Sequence, residues 1–499
     1  MFKQFFFCLV IIPALSLAQT NTQCIRGKII DKLSQTPLRG AVIQIKAHQQ
    51  ETTSDSLGNF MLCNLNPDRY EINLSLEGYK NLTVPNVIVT SGKEVILDFN
   101  LEETFTSLKE VIIKSKATAL NKLASVSTRT FTMEEVNRYA GGRSDPARLV
   151  ANFAGVSTPD DSRNDIVIRG NSPVGVLWRI DGMNVSNPNH FASVGTTGGA
   201  VSALNTNLLK NADFFTSAFP AEYGNATAGV FDLGLRNGNN KKQETTLQIG
   251  VITGLEATTE GPFNKKSEAS YLVGYRYSLA GMAQALGVDI GTTATPSYQD
   301  LSFKLNSGNT KMGQFSMFGI LASSTINIGG GNSNTLYGNG NKIDFGSKIG
   351  ILGLHHFKQL NKKAYVSSTI GINYASTDQT GYSTDRPTLT DYIKEINKVA
   401  KTSLSINSSY NCKINSRIFI KTGIQFENIG LDLYYKTKDR IVDDYKQIWD
   451  YLSNTQLVQG FAHIKYRTSD QLSINLGLHM QWFALNKATA LEPRLGVIY

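Results

Sequence analysis

Two short motifs contain histidine at a spacing that could suggest metal binding. His48 and Glu51 form a His-x-x-Glu pair, a spacing that two ligands of a catalytic zinc can have. Such a zinc needs a third protein ligand, and the next histidine along the chain is His190. His355 and His356 are neighbours on a predicted strand, so their side chains should point to opposite faces. Because no nucleophile elbow or Cys-x-x-Cys motif is present either, we predict no catalytic residue, metal or cofactor, and no enzyme.

Charged residues stand beside glycines in the segment "NDIVIRGNSPVGVLWRIDGMNVSNPNHF", residues 164–191. The runs "DIVIRG" and "GVLWRIDG" predict two strands, the second of which ends in an Asp181-Gly182 turn. Two short helices should precede them. "MEEVNRYAGG" has an acidic start and a Gly-Gly stop, and "DPARLVANFAG" opens at Asp145-Pro146 and closes at Gly155. The sequence therefore predicts a small mixed α/β region here.

Composition favours an exported protein rich in strands and turns. The chain has 499 residues, which is too long for one core, with 43 glycines and only 18% charged residues. The formal net charge is +9, but the basic residues are scattered and form no runs. We therefore do not expect nucleic acid as a partner.

Residues 1–18 form a secretory signal peptide. "MFKQ" is a basic start, "FFFCLVIIPALSL" is an apolar run too short to span a membrane, and Ser16 and Ala18 suit cleavage. No later apolar run reaches about 18 residues, which leaves a soluble exported protein or an outer-membrane β-barrel. In an oxidising compartment Cys24 and Cys63 could pair, and the alternative is two ordinary buried thiols.

Residues 22–103 predict a small all-β domain. Short strands in "CIRGKII", "AVIQIKA", "NFMLCNL", "RYEINLSL" and "EVILDFNL" are separated by the turns "SQTPLRG", "DSLGN" and "NPDR". The stretches "IRGKIIDKLSQTPLRGAVIQI" and "TTSDSLGNFMLCNLNPDRYEINLSLEGY" resemble the carboxypeptidase-regulatory-like β-sandwich. That resemblance implies a packing and presentation domain without catalytic residues.

From residue 241 to residue 499 the apolar residues alternate with polar ones. In "QLSINLGLHMQW" the alternation has no fault, and in "ASYLVGYRY" only Leu272 breaks it. Alternation over about ten residues is typical of transmembrane β-strands, although a soluble sheet with one wet face also alternates. The length of the strands and the long Gly- and Asn-rich loop "NIGGGNSNTLYGNGNK" favour the barrel.

A β-sandwich, a linker, an α/β region and barrel strands, in that order, resemble a TonB-dependent outer-membrane receptor. The motifs that carry the resemblance to its plug are "RNDIVIRG", "RIDGMNVSNPNHF", "GTTGGAVSALN" and "FPAEYGNATAGVFD". The matching residues are Arg163, Asp165, Arg169, Gly170, Arg179, Asp181, Gly182, Asn187, Glu222, Tyr223 and Gly224. The charged ones among them are expected either to contact the barrel wall or only to hold the plug together.

By the same resemblance, "LKEVIIK" stands where the family keeps its TonB box. Its residues are Leu108, Lys109, Glu110, Val111, Ile112, Ile113 and Lys114. An extended segment of this kind pairs its backbone with an edge strand of TonB, and the three β-branched residues suit that conformation. The alternative is a plain linker or the first strand of the plug.

The resemblance implies five segments. They are a signal peptide (1–18), a β-sandwich (22–103), a linker with the TonB-box-like segment (104–115), a plug (116–240) and a partial barrel (241–499). The fold is all-β dominated, and about eleven barrel strands are expected, half of the usual 22. We therefore expect the sequence to be part of a longer chain.

The expected function is import of a scarce nutrient across the outer membrane of a Gram-negative bacterium. The N-terminal domain and plug would lie on the periplasmic side. Partners would be TonB with ExbB–ExbD, an extracellular nutrient and outer-membrane lipid, with a surface lipoprotein as a further candidate. The alternative is a surface binding or signalling receptor that does not transport.

Overall fold

The computed structural model describes residues 22–45, 49–104, 120–124, 127–250, 253–264, 266–280, 294–329, 342–384, 391–439 and 444–499. The signal peptide, His48 and the TonB-box-like segment 108–114 lie outside these ranges. The chain divides into two compact units, and strands β1–β8 described next belong to the first of them.

The first unit is a β-sandwich of two small sheets. Its strands are β1 Gln23–Asp31, β2 Val42–Ile45, β3 Gln50–Thr53, β4 Asn59–Leu65, β5 Asp68–Ser75, β6 Leu82–Val89, β7 Val95–Ile96 and β8 Phe99–Leu101. One sheet has the order β4-β1-β7 with β8 also on β1, and the other has the order β3-β2-β5-β6. Alternate residues of the strands, such as Ile25, Ile43 and Ile72, are fully buried between the sheets.

Cys24 on β1 and Cys63 on β4 are joined by a disulfide in this unit. The two strands pair antiparallel, with a bulge between Gln23 and Ile25 that brackets Cys24. Two strands of this domain, β3 and β6, were missed by the sequence prediction. β3 is short and polar, and β6 has a proline in its middle, so neither has a clear apolar alternation.

The second unit begins with the plug region. Its elements are β9 Thr128–Phe131, α1 Met133–Arg138, α2 Pro146–Val150, β10 Val156–Ser157, β11 Val167–Ile168, β12 Val176–Ile180, β13 Met183–Val185, β14 Asn189–His190, β15 Val201–Ser202, β16 Ala212–Phe215 and β17 Gly229–Leu233. Five of them form a mixed sheet with the order β13-β12-β17-β16-β9. A 3-10 turn, Pro173–Gly175, leads into β12.

Both helices of the plug region are shorter than the sequence predicts. α1 starts with a capping box, in which Thr132 and Glu135 satisfy each other's backbone N–H groups, and it ends at Arg138 before the two glycines. α2 starts at the predicted Asp145-Pro146 pair but ends at Val150, five residues before Gly155. Phe153 then turns into the core instead of continuing the helix.

The rest of the second unit is one antiparallel sheet of twelve strands, the large sheet, in which each strand pairs with its neighbours in sequence. Its strands are β18 Glu244–Gly250, β19 Gly254–Pro262, β20 Ser270–Tyr277, β21 Thr295–Thr310, β22 Gly313–Gly329, β23 Lys342–Gln359, β24 Ala364–Thr384, β25 Asp391–Lys413, β26 Ile418–Lys438, β27 Tyr445–Arg467, β28 Ser473–Phe483 and β29 Ala488–Ile498. The prediction of an all-β dominated fold with a β-sandwich, an α/β plug and a long antiparallel sheet is confirmed. The sheet has one strand more than the eleven expected.

Along β28, one face of the large sheet is apolar and exposed, and the other is polar and faces the plug region. On β28 the side chains of Leu476, Leu478 and Met480 are 45–57% exposed, whereas Asn475 and His479 are buried. Leu272, which breaks the alternation of β20, is fully buried because it packs into the plug core. In the described residues, no helix is long and apolar enough to cross a membrane.

Candidate functional site

The plug sheet presents its charged motif residues toward the large sheet. β12 carries Arg179 and runs into the Asp181-Gly182 turn, where both residues have positive φ angles of 44° and 83°. Such a pair of left-handed residues is the tight hairpin turn that the sequence predicts, and it connects β12 to β13. Behind the turn, the ring of Trp178 stacks on Phe231 of β17 with 4.1 Å between centroids. The turn is thus fixed by a packed aromatic core.

Glu222 is the centre of a buried charge cluster. Its carboxylate accepts from Arg179 Nη1 at 2.9 Å, Lys421 Nζ of β26 at 2.6 Å and Asn121 Nδ2 at 3.0 Å. Its backbone carbonyl accepts from Gln425 Nε2, also on β26, at 2.8 Å. Arg179 and Glu222 hold the plug together, and Lys421 ties the same carboxylate to the large sheet. Glu222 therefore makes contacts of both kinds, one within the plug region and one to the large sheet.

The electrostatics keep this cluster charged in spite of its burial. Burial alone would raise the pKa of Glu222, but Lys421 and Arg179 outweigh it and lower that pKa to about 2. The same balance applies to Arg179. Burial alone would lower the pKa of its guanidinium, but the acidic neighbours Glu222 and Asp232 outweigh burial and raise that pKa. Asp232 differs, because burial and the nearby Glu222 raise its pKa against the pull of Arg179. Tyr223 donates its hydroxyl to Asp232 at 2.6 Å.

Asp181 forms the second charged contact between the plug region and the large sheet. Its carboxylate binds Lys304 Nζ of β21 at 3.0 Å and Lys210 Nζ at 3.6 Å. Lys304 also donates to the carbonyl of Leu235 at 2.8 Å. Burial would raise the pKa of Asp181, and Lys304 and Lys210 lower it overall. The turn is thereby tied to a strand far from β26.

The remaining charged motif residues do not reach the large sheet through any contact in the described chain. Arg163 pairs with Asp165 at 2.6 Å and donates to the carbonyl of Gly198 at 2.9 Å, so this pair is internal to the plug region. Arg169 and Gly170 are exposed in a turn with positive φ angles of 52° and 79°.

Asn187 belongs to a network of buried amides that the sequence prediction missed. Its Nδ2 donates to the carbonyl of Gly198 at 2.8 Å, and its Oδ1 accepts from Asn189 at 2.6 Å. Asn164 continues the network to Asn189 and to Asp145, the N-cap of α2, at 2.7 Å each. The sequence feature that could have predicted this network is the density of asparagines in "NVSNPNH", since buried amides must find hydrogen-bond partners.

Pro220–Gly224, the clamped segment, contains Glu222 with its partners Lys421 and Gln425, and three further side chains of the large sheet also hold it. His463 Nδ1 of β27 accepts from the Ala221 N–H at 3.2 Å, and His479 Nδ1 of β28 bonds the Ala221 carbonyl at 2.8 Å. Arg494 of β29 donates to the carbonyls of Pro220 at 2.7 Å and Tyr223 at 2.8 Å.

Gly224 is required by the closeness of this approach. A Cβ atom there would lie 2.5 Å from Gln459 Oε1 and 2.7 Å from His479 Nε2. The sequence indicates that Gly224 is a motif residue, but the partners that make it necessary are more than 200 residues away.

The plug region also contacts the first strands of the large sheet. His190 Nε2 lies 3.0 Å from Asp300 Oδ2, and Asp300 in turn binds Arg276 at 2.8 Å. Around them an apolar flank is formed by plug residues and by Leu272, Phe318, Ile320, Ala322, Ile349 and Ile351 of the large sheet. In the described residues there is no group of three or more His, Cys, Asp or Glu that could hold a metal ion.

A different surface of the plug region borders a cavity of about 250 Å³. The plug contributes Trp178, Asn187 and the loop Ala192–Thr197, and the large sheet contributes β23–β26, including Lys401 and Leu431. Two hydrogen bonds flank it, from the Phe191 N–H to Ser324 Oγ and from the Val194 N–H to Thr377 Oγ1, both 2.9 Å.

Comparison with known families agrees with this architecture. Residues 121–230 match the TonB-dependent Receptor Plug Domain. This part of the chain is thus similar to the plug of TonB-dependent receptors. Residues 25–113 match the CarboxypepD_reg-like domain, as the N-terminal motifs predict. Over 84 residues, or 17% of the chain, the sequence is 32% identical to human Carboxypeptidase D, of which it covers 6%.

Solved structures of a siderophore receptor and of outer-membrane and copper transporters share the fold of this chain. The outer membrane transporter YddB of Escherichia coli is 13% identical with a TM-score of 0.51, over 74% of this chain and 58% of that one. The siderophore receptor PirA of Acinetobacter baumannii is 14% identical with a TM-score of 0.50, over 75% and 59%. The copper transporter OprC is 12% identical with a TM-score of 0.52, over 75% and 61%. The chain thus spans about three fifths of the length of these proteins.

Proposed function

We propose that this protein is an outer-membrane receptor that imports a scarce nutrient with energy transmitted by TonB and ExbB–ExbD. The observation that supports the proposal best is the cluster around Glu222, in which a plug carboxylate is shared between plug and sheet cations. A plug bound through such charged contacts can be displaced if water replaces the lost partners. In this proposal the apolar face of the large sheet contacts lipid, and the N-terminal domain and plug lie on the periplasmic side.

A pull on the chain before residue 120 would reach this cluster directly. The Asn121 side chain donates to Glu222 at 3.0 Å, and its backbone N–H donates to Asp213 at 2.5 Å. The next strand, β9, is an edge strand of the plug sheet and pairs with β16. We infer that force applied at Leu108–Lys114 acts first on these contacts and then on β9.

Binding to TonB is the first test. The purified full chain in detergent should bind the purified periplasmic domain of TonB, and Ile112→Pro should weaken binding more than about tenfold by removing a backbone donor. The matched control, Ala117→Pro, lies outside the segment and should bind as the wild type does. Equal binding by Ile112→Pro would contradict strand addition at this segment.

Deletion of residues 108–114 distinguishes a transporter from a receptor that binds its ligand without importing it. Cells carrying the full chain are offered three labelled probes: a ferric siderophore, cobalamin and maltoheptaose. Transport predicts that uptake of one probe is lost on deletion while its binding to the cell surface persists. If uptake of none of the probes depends on the segment, the alternative of a binding or signalling receptor is favoured.

A further inference from the structure

Four segments of the chain at one end of the large sheet are rich in lysine. They are residues 239–243, which precede β18, and the turns 263–269, 311–312 and 360–363. The antiparallel pairing of consecutive strands from β18 to β24 places all four at the same end. We call these four segments the basic rim. Its exposed lysines in the described ranges are Lys241, Lys242, Lys266, Lys311, Lys362 and Lys363.

The opposite end of the same strands has no such concentration of positive charge. Residues 281–293 lie between β20 and β21, and residues 330–341 lie between β22 and β23, and neither stretch contains a lysine or an arginine. The basic rim itself contains one acidic residue, Glu268, which accepts from Asn309 Nδ2 at 3.2 Å. The excess of positive charge is therefore a property of one end of the sheet.

The shape of two of these turns is set by asparagine side chains. Asn264 Oδ1 accepts from the backbone N–H of Lys266 at 3.0 Å, and Asn361 Oδ1 accepts from that of Lys363 at 2.8 Å. The turns are therefore held by backbone contacts and leave the lysine side chains exposed. Within the described ranges, no ion pair is formed by Lys241, Lys266, Lys311 or Lys362.

Aromatic rings lie between the basic rim and the exposed apolar residues of the strands. The ring of Phe263 is 5.6 Å from that of Tyr271, and Phe315 stacks on His356 with 4.5 Å between centroids. A step of two along β23 puts His356 on the same face as Leu354, which is apolar and exposed. Aromatic rings at the edge of an apolar band mark the level of the lipid headgroups on a barrel wall.

The turns of the basic rim also expose large apolar side chains beside their lysines. Phe263 is 59% exposed, Met312 is 69% exposed and Leu360 is 50% exposed. A lysine can extend its apolar stem along such a surface and keep its ammonium among anionic groups. Apolar and basic side chains in one strip are typical of segments that lie in the interface of an anionic membrane. Because the strip continues the apolar face of the strands, a lipid leaflet can cover both at once.

We propose that the basic rim binds anionic phospholipid headgroups and selects phosphatidylglycerol over zwitterionic phosphatidylcholine. The lysine ammonium groups lie among the phosphates, and Phe263, Met312 and Leu360 contact the acyl chains below them. The proposal rests on the proposed function in one respect, since it takes the apolar outer face of the large sheet to contact lipid. In that setting the basic rim anchors the sheet against force applied to the plug.

The test measures which lipids the purified full chain retains. The chain is reconstituted into nanodiscs that contain equal amounts of phosphatidylglycerol and phosphatidylcholine and is then transferred to detergent, where native mass spectrometry counts the bound lipids. The wild type should retain phosphatidylglycerol in preference. The rim variant Lys266→Gln/Lys311→Gln/Lys362→Gln should lower the retained ratio of phosphatidylglycerol to phosphatidylcholine at least about fivefold, the contribution of one lysine near an anionic surface.

The matched control is Lys342→Gln/Lys348→Gln/Lys398→Gln, which removes three exposed lysines from the other part of the same strands and of β25. It has the same net charge as the rim variant and should retain lipids as the wild type does. Phosphatidylcholine retained by all three proteins shows that the variants are folded.

Equal ratios in the rim variant and the control, or no preference in the wild type, would overturn the proposal. Glycerophosphoglycerol, the headgroup without acyl chains, should not displace the bound phosphatidylglycerol. Displacement would assign the lysines to a soluble anion and would also overturn the proposal. TonB and an energy source are absent from this experiment, so a failure of import or of TonB binding does not change its result.

Discussion

The clamped segment and the loop Ala192–Thr197 contact the large sheet in opposite ways. The clamped segment is held by His463, His479 and Arg494 on three successive strands, and its own Glu222 binds Lys421. The loop instead borders a cavity of about 250 Å³, and a single hydrogen bond joins Val194 to Thr377. One flank of the plug region is thus anchored by buried charges, and the other borders the cavity. The difference predicts that the plug yields first at the loop.

Removing the charge of Glu222 should have the largest effect on this asymmetry. Glu222→Gln leaves Arg179 and Lys421 buried without their counter-charge, which is expected to cost about 3–5 kcal/mol of plug stability. The measurement is the urea dependence of hydrogen exchange in β12 and β17 of the full chain. The matched control is Glu134→Gln, which breaks the exposed pair with Arg138 on α1 and should cost less than about 1 kcal/mol.

Acidification provides an independent check on the same carboxylate. The pKa of Glu222 is lowered from 4.5 to about 2, so its contribution to stability is fully present above about pH 4.5. That contribution should be lost as the pH falls from 4.5 toward 2, where the carboxylate becomes protonated in the fold. The stability difference between wild type and Glu222→Gln should shrink over this interval. A difference that stays constant down to about pH 2 would show that the charge is not the cause.

Gly224→Ala should have the next largest effect, because it pushes the clamped segment off its partners. The added Cβ would lie 2.5 Å from Gln459 Oε1, and overpacking of this kind typically costs about 1–3 kcal/mol. The control is Gly460→Ala on β27, where nothing lies within 4 Å of the added atom. The same exchange measurement should show no loss for the control. Restoration of stability in Gly224→Ala by Gln459→Ala would identify the clash, and its absence would argue against it.

The two flanks also differ in how far the sequence predicts them. The Asp181-Gly182 turn and the alternation on β28 follow from local patterns, because turn chemistry and strand period act within a few residues. The partners of the clamped segment do not follow, since His463, His479 and Arg494 depend on a register set over the whole large sheet. The sequence offered one overlooked clue there, a histidine on the polar face of β28.

Strand β26 teaches a related lesson, because apolar residues occur on both of its faces. On β26, Ile424 faces outward and is 67% exposed, whereas Leu431 and Leu433, an odd number of residues further on, face inward. Alternation alone does not tell which face is which, so assigning the two faces of β26 requires the register of neighbouring strands.

Thr377→Ala should have the smallest effect, since it removes the hydrogen bond on the cavity flank. The freed Val194 N–H is next to space that admits water, so the loss should stay below about 1 kcal/mol, at the low end for a hydrogen bond. Exchange should accelerate in Ala192–Thr197 and remain unchanged in the clamped segment. Asn373→Ala is the matched variant on the same strand, because Asn373 Nδ2 donates to Ser186 Oγ, which is not a residue of the loop, at 2.8 Å. If Thr377→Ala loosened both flanks equally, the plug would respond as one rigid body, and the loop could not be the place where it yields first.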